Sequence, residues 1–363
     1  MNIKLNKQDL DILKNIIETK DINIAVADML LHAFNSPKLI NKKEIERLMS
    51  EEGYLEKDAY LNLFLDQFEI DTTNEENNEI IDTYFSNFIS LDERNFLNNP
   101  YIKAFKGKTI KSGKYSLEYC DYKPYQLLPL DEILIEGNNY KEISQVGYFK
   151  NNFKYLALKE NGVIWMCITP NEINTMKDAL SKVKGNVLVL GLGLGYFPFM
   201  ASLKDDVKNI TVIENNPEII KIYRGELEQF VGNGKIKIIQ DDAFNYLENN
   251  NNFDCVFADL WHNPEDGVHQ FIKLKTIETK LDKPFYYWLE PSLIQMLRRS
   301  VITLFQEHFE GYTQDNYLFA NNDFDKLLNL LYSQLKNKEF TSINDVYETL
   351  KDEELIKLAI NCK

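Results

Sequence analysis

The run NVLVLGLGLGYFPFMAS, Asn186 to Ser202, constrains this chain more than any other segment. A continuous Val/Leu stretch reads as a strand buried on both faces, the kind that parallel sheets contain. Gly191, Gly193 and Gly195 follow at alternate positions, and then comes an apolar run of helical character. A strand that ends in glycines and turns into a helix offers bare backbone and free N–H groups to a nucleotide-like ligand. In open α/β sheets that edge is where ligands bind. The residues downstream must say which ligand.

Downstream the pattern keeps alternating. ITVIE, IKII, FDCVFADL and FYYWL read as four more strands. PEIIKIYRGELEQF, with Pro217 at its start, AFNYLEN and PSLIQMLRRSVITLFQEHF read as helices. Apolar strands alternating with helices predict a parallel sheet covered on both faces. Upstream the texture differs. Residues 1–98 read as helical, with Leu10, Ile12, Leu13, Ile16 and Ile17 on one face, IAVADMLLHAF repeating the pattern, and a stop at Gly53. DTTNEENNE, Asp71 to Glu79, has no apolar period and reads as a loop. Residues 99–183 break into short strand-like pieces, and FKYLALKENGVIWMCI is a hairpin whose Asn161-Gly162 suits a tight turn. Thr169, Pro170 and Glu172 then spell a capping box, although Glu172 is also placed to face a ligand. The tail, 316–363, reads as two or three small helices.

Charge narrows the partners. The 41 basic against 56 acidic residues leave a net charge of −15, and such a surface repels phosphate backbones, so nucleic acid is not an expected partner. Cys120, Cys167, Cys255 and Cys362 are scattered without paired spacing, which points to reduced, buried thiols in a cytoplasmic protein. The amphipathic start, MNIKLNKQDLDILKNII, is unlike a signal peptide, and no apolar run approaches the ~20 residues of a membrane span. A soluble, cytoplasmic protein without membrane contact is expected.

Acids at three further strand ends refine the ligand. A dinucleotide loop would read G-x-G-x-x-G; here Tyr196 stands in the place of the third glycine, an awkward neighbour for a pyrophosphate. No G-K-[ST] follows, so a phosphate-binding P-loop is excluded. Glu214 ends the second strand, where an acid accepts hydrogen bonds from a ribose diol. Asp241 and Asp242 end the third strand directly before a helix, and either can cap it; Asp241 is the expected cap. Asp259 ends the fourth strand, in FDCVFADLWHNPEDG.

This four-part order resembles the class I S-adenosylmethionine-dependent methyltransferases, particularly their spermidine-synthase-like branch, over about residues 150–300. The hairpin upstream is similar to the small β-element that precedes the core in spermidine synthases. YKPYQLLPLDEI and WMCITPNEINTM are similar to segments of bacterial methyltransferase-like proteins of undefined substrate. The resemblance implies a Rossmann-like S-adenosylmethionine-binding domain at 184–315, preceded by the β-hairpin element and the N-terminal helical domain. It implies that Gly191, Gly193 and Gly195 contact the methionine part and the ribose. Glu214 would then hold the ribose hydroxyls, Asp242, beside Ala243, the adenine amino group, and Asp259 the place where group and acceptor meet.

Attack on a sulfonium carbon is an in-line displacement that needs no metal, only alignment and exclusion of water. An amine or hydroxyl acceptor must also lose a proton, and Asp259 first, His262 second, are the candidate bases. Trp261 is either an aromatic wall for the acceptor or packing for its loop. Glu290, after the fifth strand, is either a second acid over the acceptor or a helix-start residue. His262, Glu265, Asp266 and His269 match no standard metal spacing, so no metal is expected. The leading expectation is a methyltransferase acting on a small-molecule or protein acceptor. Aminopropyl transfer from decarboxylated S-adenosylmethionine is the runner-up, weakened because a D-x-x-D-P pattern is replaced by Asp259, His262, Asn263 and Pro264. A non-catalytic S-adenosylmethionine-binding scaffold is the reading from a different class, and NAD chemistry stands last. The N-terminal helices are expected to roof the acceptor side or to make a homodimer.

Overall fold

The helical period near the N-terminus folds as one long helix, Lys7–Asn35, in the computed structural model of the chain. The structure describes residues 1–36, 40–105, 109–227, 234–312 and 322–361, and no side chain at 76, 226 or 227. Leu13, Ile16, Ile17, Val26 and Leu30 form the buried stripe of that helix, as a 3.6-residue period requires. Lys20 and Asn23 lie in the same stripe and are also buried. Both are partnered, as buried polar groups must be: Lys20 pairs with Asp21 at 2.8 Å, and Asn23 donates to the Tyr140 carbonyl at 2.8 Å.

The chain divides into two compact units, each discontinuous in sequence. One comprises Val26–Leu134 and Ile143–Asn250. Its helices Lys42–Glu51, Glu56–Gln67 and Glu75–Tyr84 precede a four-stranded antiparallel sheet in the order Val163–Ile168, Phe153–Glu160, Tyr115–Tyr122, Ile110–Ser112. The hairpin is as expected: Asn161 and Gly162 both take positive φ, +51° and +85°, which is what a two-residue turn of this kind demands. Three parallel strands follow. Gly185–Leu190 pairs with Val207–Glu214, which pairs with Ile236–Gln240. Val187, Leu188, Val189 and Leu190 are all buried, so the run without alternation is covered on both faces.

The other unit comprises Met1–Ala25, Ile135–Glu142 and Asn251–Lys363. Its strands Cys255–Ala258 and Phe285–Tyr287 are again parallel. The helix Pro264–Leu281 joins them, and Glu290–Phe309 follows. The tail forms Asp323–Leu335, Ile343–Thr349 and Asp352–Ile360. Between the first two of these helices the strand Glu339–Phe340 pairs in parallel with Asn2–Ile3. A buried polar cluster ties this unit together. The Glu142 carboxylate, on a residue 4% exposed, accepts from Gln295 Nε2 at 2.7 Å and Arg299 Nε at 2.6 Å. The backbone N–H of Glu142 donates to Asn23 Oδ1 at 3.1 Å.

Local expectations are corrected at three places. DTTNEENNE is only partly a loop: an Asp71 turn, with Thr73 N–H donating to Asp71 Oδ1 at 2.8 Å, leads into a helix that already starts at Glu75. The first turn of that helix is wholly polar, so no apolar period announces it. At Thr169 the backbone stands in the cap position with Pro170 next, yet no side-chain cap bond forms. The Thr169 hydroxyl is engaged with Tyr122 and Cys167 instead, so the capping box fails. The helix Pro264–Leu281, which composition alone left unread, opens on a capping box of Asn263 and Asp266 with Pro264 between them.

Cys120 and Cys167 are half-buried and Cys255 is buried, all three as free thiols; Cys362 lies outside the described residues, as does the end of the segment read as PEIIKIYRGELEQF. Burial pushes the Cys167 thiol up to about 12, which keeps it protonated and inert at neutral pH. No helix among the described residues is long and apolar enough to cross a membrane.

Candidate functional site

The glycine loop is held by backbone geometry that only glycine adopts at low cost. Gly191, Gly193 and Gly195 have φ of +92°, +53° and +75°, all in the left-handed region. Gly191 N–H donates to the Ile213 carbonyl at 2.9 Å and Gly195 N–H to that of Leu192 at 2.8 Å. Between the glycines, Leu192 and Leu194 are buried. L-G-L-G-L-G is therefore a loop anchored by leucines on one side and left bare on the other.

The three glycines do not share one role. Gly191 and Gly193 are half-exposed, whereas Gly195 is buried as the residue before the helix Tyr196–Ser202. A Cβ on Gly195 would lie 2.5 Å from Cε2 of Tyr223; one on Gly193 would meet nothing nearer than Met166 Sδ at 3.9 Å. Gly195 thus supplies the close packing that a third glycine provides in dinucleotide loops. Tyr196, next to it, turns inward, its hydroxyl accepting from Asn99 Nδ2 at 2.9 Å and its ring meeting the Tyr101 edge at 5.3 Å. Tyr101 in turn donates to the Leu194 carbonyl at 2.5 Å. Desolvation pushes the Tyr196 phenol up to about 12.

Glu214 ends the neighbouring strand, 9% exposed. Its Oε2 accepts from Leu192 N–H at 3.1 Å, inside the glycine loop, and its Oε1 from Asn216 N–H at 2.8 Å. One carboxylate therefore fixes both the loop and the turn that follows its own strand. A carboxylate has about four lone-pair positions, so each oxygen retains capacity for a further donor. Of the two acids that follow the third strand, Asp242 and not Asp241 is the helix cap. Asp242 is the cap of the helix Ala243–Asn249, its Oδ1 accepting from Phe244 and Asn245 N–H at 2.9 and 3.0 Å. Asp241 accepts from Asp242 N–H and Asn245 Nδ2, both at 2.8 Å. Ala243, the first helical residue, is buried. Sequence could have shown this, because Asp242, not Asp241, directly precedes the helical pattern.

The other unit carries the residues considered for the acceptor. Asp259 is half-buried and follows the strand Cys255–Ala258 directly. Trp261 is 5% exposed; its indole N–H donates to the Trp288 carbonyl at 3.2 Å. Gly267 lies so close that a Cβ there would be 2.5 Å from Cγ of Trp261, so the indole packs its own loop onto the following helix. His262 is exposed, with Nδ1 2.8 Å from Asp266 Oδ2. Asp266 also accepts from the His262 and Asn263 N–H groups at 3.0 and 3.1 Å. A carboxylate facing Nδ1 places the proton of the neutral ring there and leaves Nε2 as the basic nitrogen. Glu290 does not end the fifth strand, which stops at Tyr287; it begins the next helix and pairs with Lys275 at 2.8 Å. Lys275 also lies 3.0 Å from Glu278 and 4.5 Å over the Tyr287 ring. His269 Nε2 is 2.9 Å from the Asp323 carbonyl.

Because Asp266 both caps the helix and holds His262, Asp266→Ala is expected to cost about 1 kcal/mol of stability through the cap. Denaturant unfolding measures it, and an unchanged midpoint would contradict the capping geometry.

No protein-family model matches the sequence, and no curated protein matches it. Among solved structures, a spermidine synthase in complex with the transition-state analogue AdoDATO aligns over 35% of this chain and 49% of its own, at 18% identity and TM-score 0.28. The spermidine synthase from Thermotoga maritima aligns over 33% of this chain and 48% of its own, at 16% identity and TM-score 0.25. The Trypanosoma brucei PRMT1 enzyme–prozyme complex with AdoHcy aligns over 30% and 34%, at 16% identity and TM-score 0.24. The matched region spans about half the length of the two spermidine synthases. The similarity is a partial one of fold.

Proposed function

We propose that this chain is an S-adenosylmethionine-dependent transferase, and that it transfers methyl to a small-molecule or protein acceptor. The observation that carries this reading is the Glu214 carboxylate, which clamps a bare glycine loop through Leu192 N–H and keeps acceptor capacity on both oxygens. That is a fit for a ligand with a ribose diol. The open surface at Gly191 and Gly193 suits the close approach of its amino-acid part.

S-adenosylmethionine, when bound, supplies a sulfonium methyl open to direct displacement. The work of the chain is then to orient and to move one proton. Gly191, Gly193 and Glu214 bind and orient the nucleoside and methionine parts. Asp242 is already committed by Oδ1 to its helix cap, and Oδ2 remains for an adenine amino group. Asp259 takes the proton from the acceptor nucleophile, with Nε2 of His262 as the second candidate. Aminopropyl transfer has less support, because His262 stands where the second acid of a diamine grip would be.

Isothermal calorimetry tests the reading with S-adenosylmethionine, its decarboxylated form, S-adenosylhomocysteine and NAD. Binding of the first and third in the micromolar range is expected, with Glu214→Ala weakening it about 10- to 100-fold through loss of charge-assisted contacts. No binding of any adenosyl ligand would sink the proposal. A preference for the decarboxylated form would replace methyl by aminopropyl transfer.

A further inference from the structure

The antiparallel sheet reaches the glycine loop through Met166 and Tyr115. Met166 Sδ lies 3.9 Å from the position of a Cβ on Gly193. Tyr115 accepts through its hydroxyl from Asn216 Nδ2 at 3.3 Å, and Asn216 is the residue whose N–H holds Glu214. Trp165 stacks on the Tyr115 ring, with centroids 5.6 Å apart and planes 26° from parallel. The register of the hairpin slips between Ile164 and Met166, so Trp165 sits on a β-bulge. Bulges re-aim side chains, and they concentrate beside functional sites. Here the bulge leaves Trp165 half-buried against Tyr115, while Met166 on the next position approaches Gly193.

Resting on the adenosyl-ligand reading above, we propose that Trp165 is a ligand-contacting residue that stacks on the purine, with Met166 closing the wall over Gly193. Tyr115 has a positioning role: its ring backs the indole and its hydroxyl ties the stack to the turn that carries Glu214. The arrangement explains why a large aromatic side chain is held half-buried at a bulge instead of being packed fully into the core. Aromatic rings recognise any base by its π-face, so the wall supplies affinity for the nucleoside while the carboxylate of Glu214 reads the ribose.

The test uses S-adenosylhomocysteine as the probe. The chain has three Trp, so 5-fluorotryptophan labelling yields three fluorine resonances, and the one lost in Trp165→Phe belongs to Trp165. That resonance is expected to shift on titration of the wild type. Trp165→Ala should raise Kd about 10- to 100-fold, the usual worth of one base–aromatic stack, and Trp165→Phe by about threefold or less because a ring remains. A wild type that binds with the Trp165 resonance unmoved, or a folded Trp165→Ala variant that binds as tightly as wild type, overturns this proposal alone. A wild type that binds no adenosyl ligand overturns it together with the proposed function. Should Trp165→Ala not fold, the fluorine titration of the wild type still decides.

Discussion

An Asp259→Ala variant is expected to lose about two to four orders of magnitude in turnover, the range typical of a removed general base, while its affinity for S-adenosylhomocysteine changes less than about twofold. The asymmetry follows from where the residue stands. Gly191, Gly193 and Glu214, the residues proposed to hold the ligand, belong to one compact unit, and Glu214 is tied to their loop by a contact within it. Asp259 belongs to the other unit, directly after a buried strand of sequence CVFA. Calorimetry and release of S-adenosylhomocysteine against an active acceptor measure the two effects separately. Full activity in Asp259→Ala would remove the residue from catalysis and pass the role to His262. A chain that binds the ligand but turns over no acceptor, with or without Asp259, would be a binding scaffold.

Gly195→Ala should be the most destabilising single change in the glycine loop. A Cβ there meets the Tyr223 ring at 2.5 Å, and φ is +75°. The left-handed backbone alone costs a non-glycine residue roughly 1–2 kcal/mol, and overpacking adds about 1–3 kcal/mol. Tyr223 is 2% exposed, so the ring has little room to give way. Gly193→Ala carries the same backbone penalty without the clash and should cost only about 1–2 kcal/mol. Thermal or denaturant unfolding of the two variants measures the difference. Equal losses would mean that Tyr223 yields, and Gly195 would then be no packing glycine.

The difference between those two glycines shows where the sequence stops being legible. Both stand in one alternating run and both have positive φ, and although Gly195 directly precedes the helix, that alone does not say which one packs. What separates them is Tyr223, 28 positions after Gly195, and Met166, 27 positions before Gly193. Asp242 shows the opposite case. Its capping role is local, and the boundary of the helical pattern would have assigned it. Trp261 and Glu290 had two open readings each, because their choice depends on Gly267, Trp288 and Lys275, none of which adjoins them in sequence. Trp165 lies in WMCITPNEINTM, but nothing in that segment marked its side chain, since a bulge is a mismatch between two strands and cannot be seen in one of them.

Some features were settled by the chain's own local chemistry. The five parallel-type strands follow from continuous apolar runs, the hairpin from Asn161-Gly162, and the open loop edge from glycines placed just after a strand. Each depends on backbone freedom or apolar period over fewer than about ten residues, and such information survives in a linear string. Tertiary structure alone decided how the site is held. It set which glycine packs and which faces outward, that Glu214 reaches back to Leu192, that Tyr115 meets Asn216, and that Trp165 stacks on Tyr115. It also set the partners of the buried Glu142 in Arg299 and Gln295, more than 150 residues away. The physical reason is the range of the forces involved. Excluded volume and hydrogen bonds act over a few ångströms in space, whatever the separation along the chain.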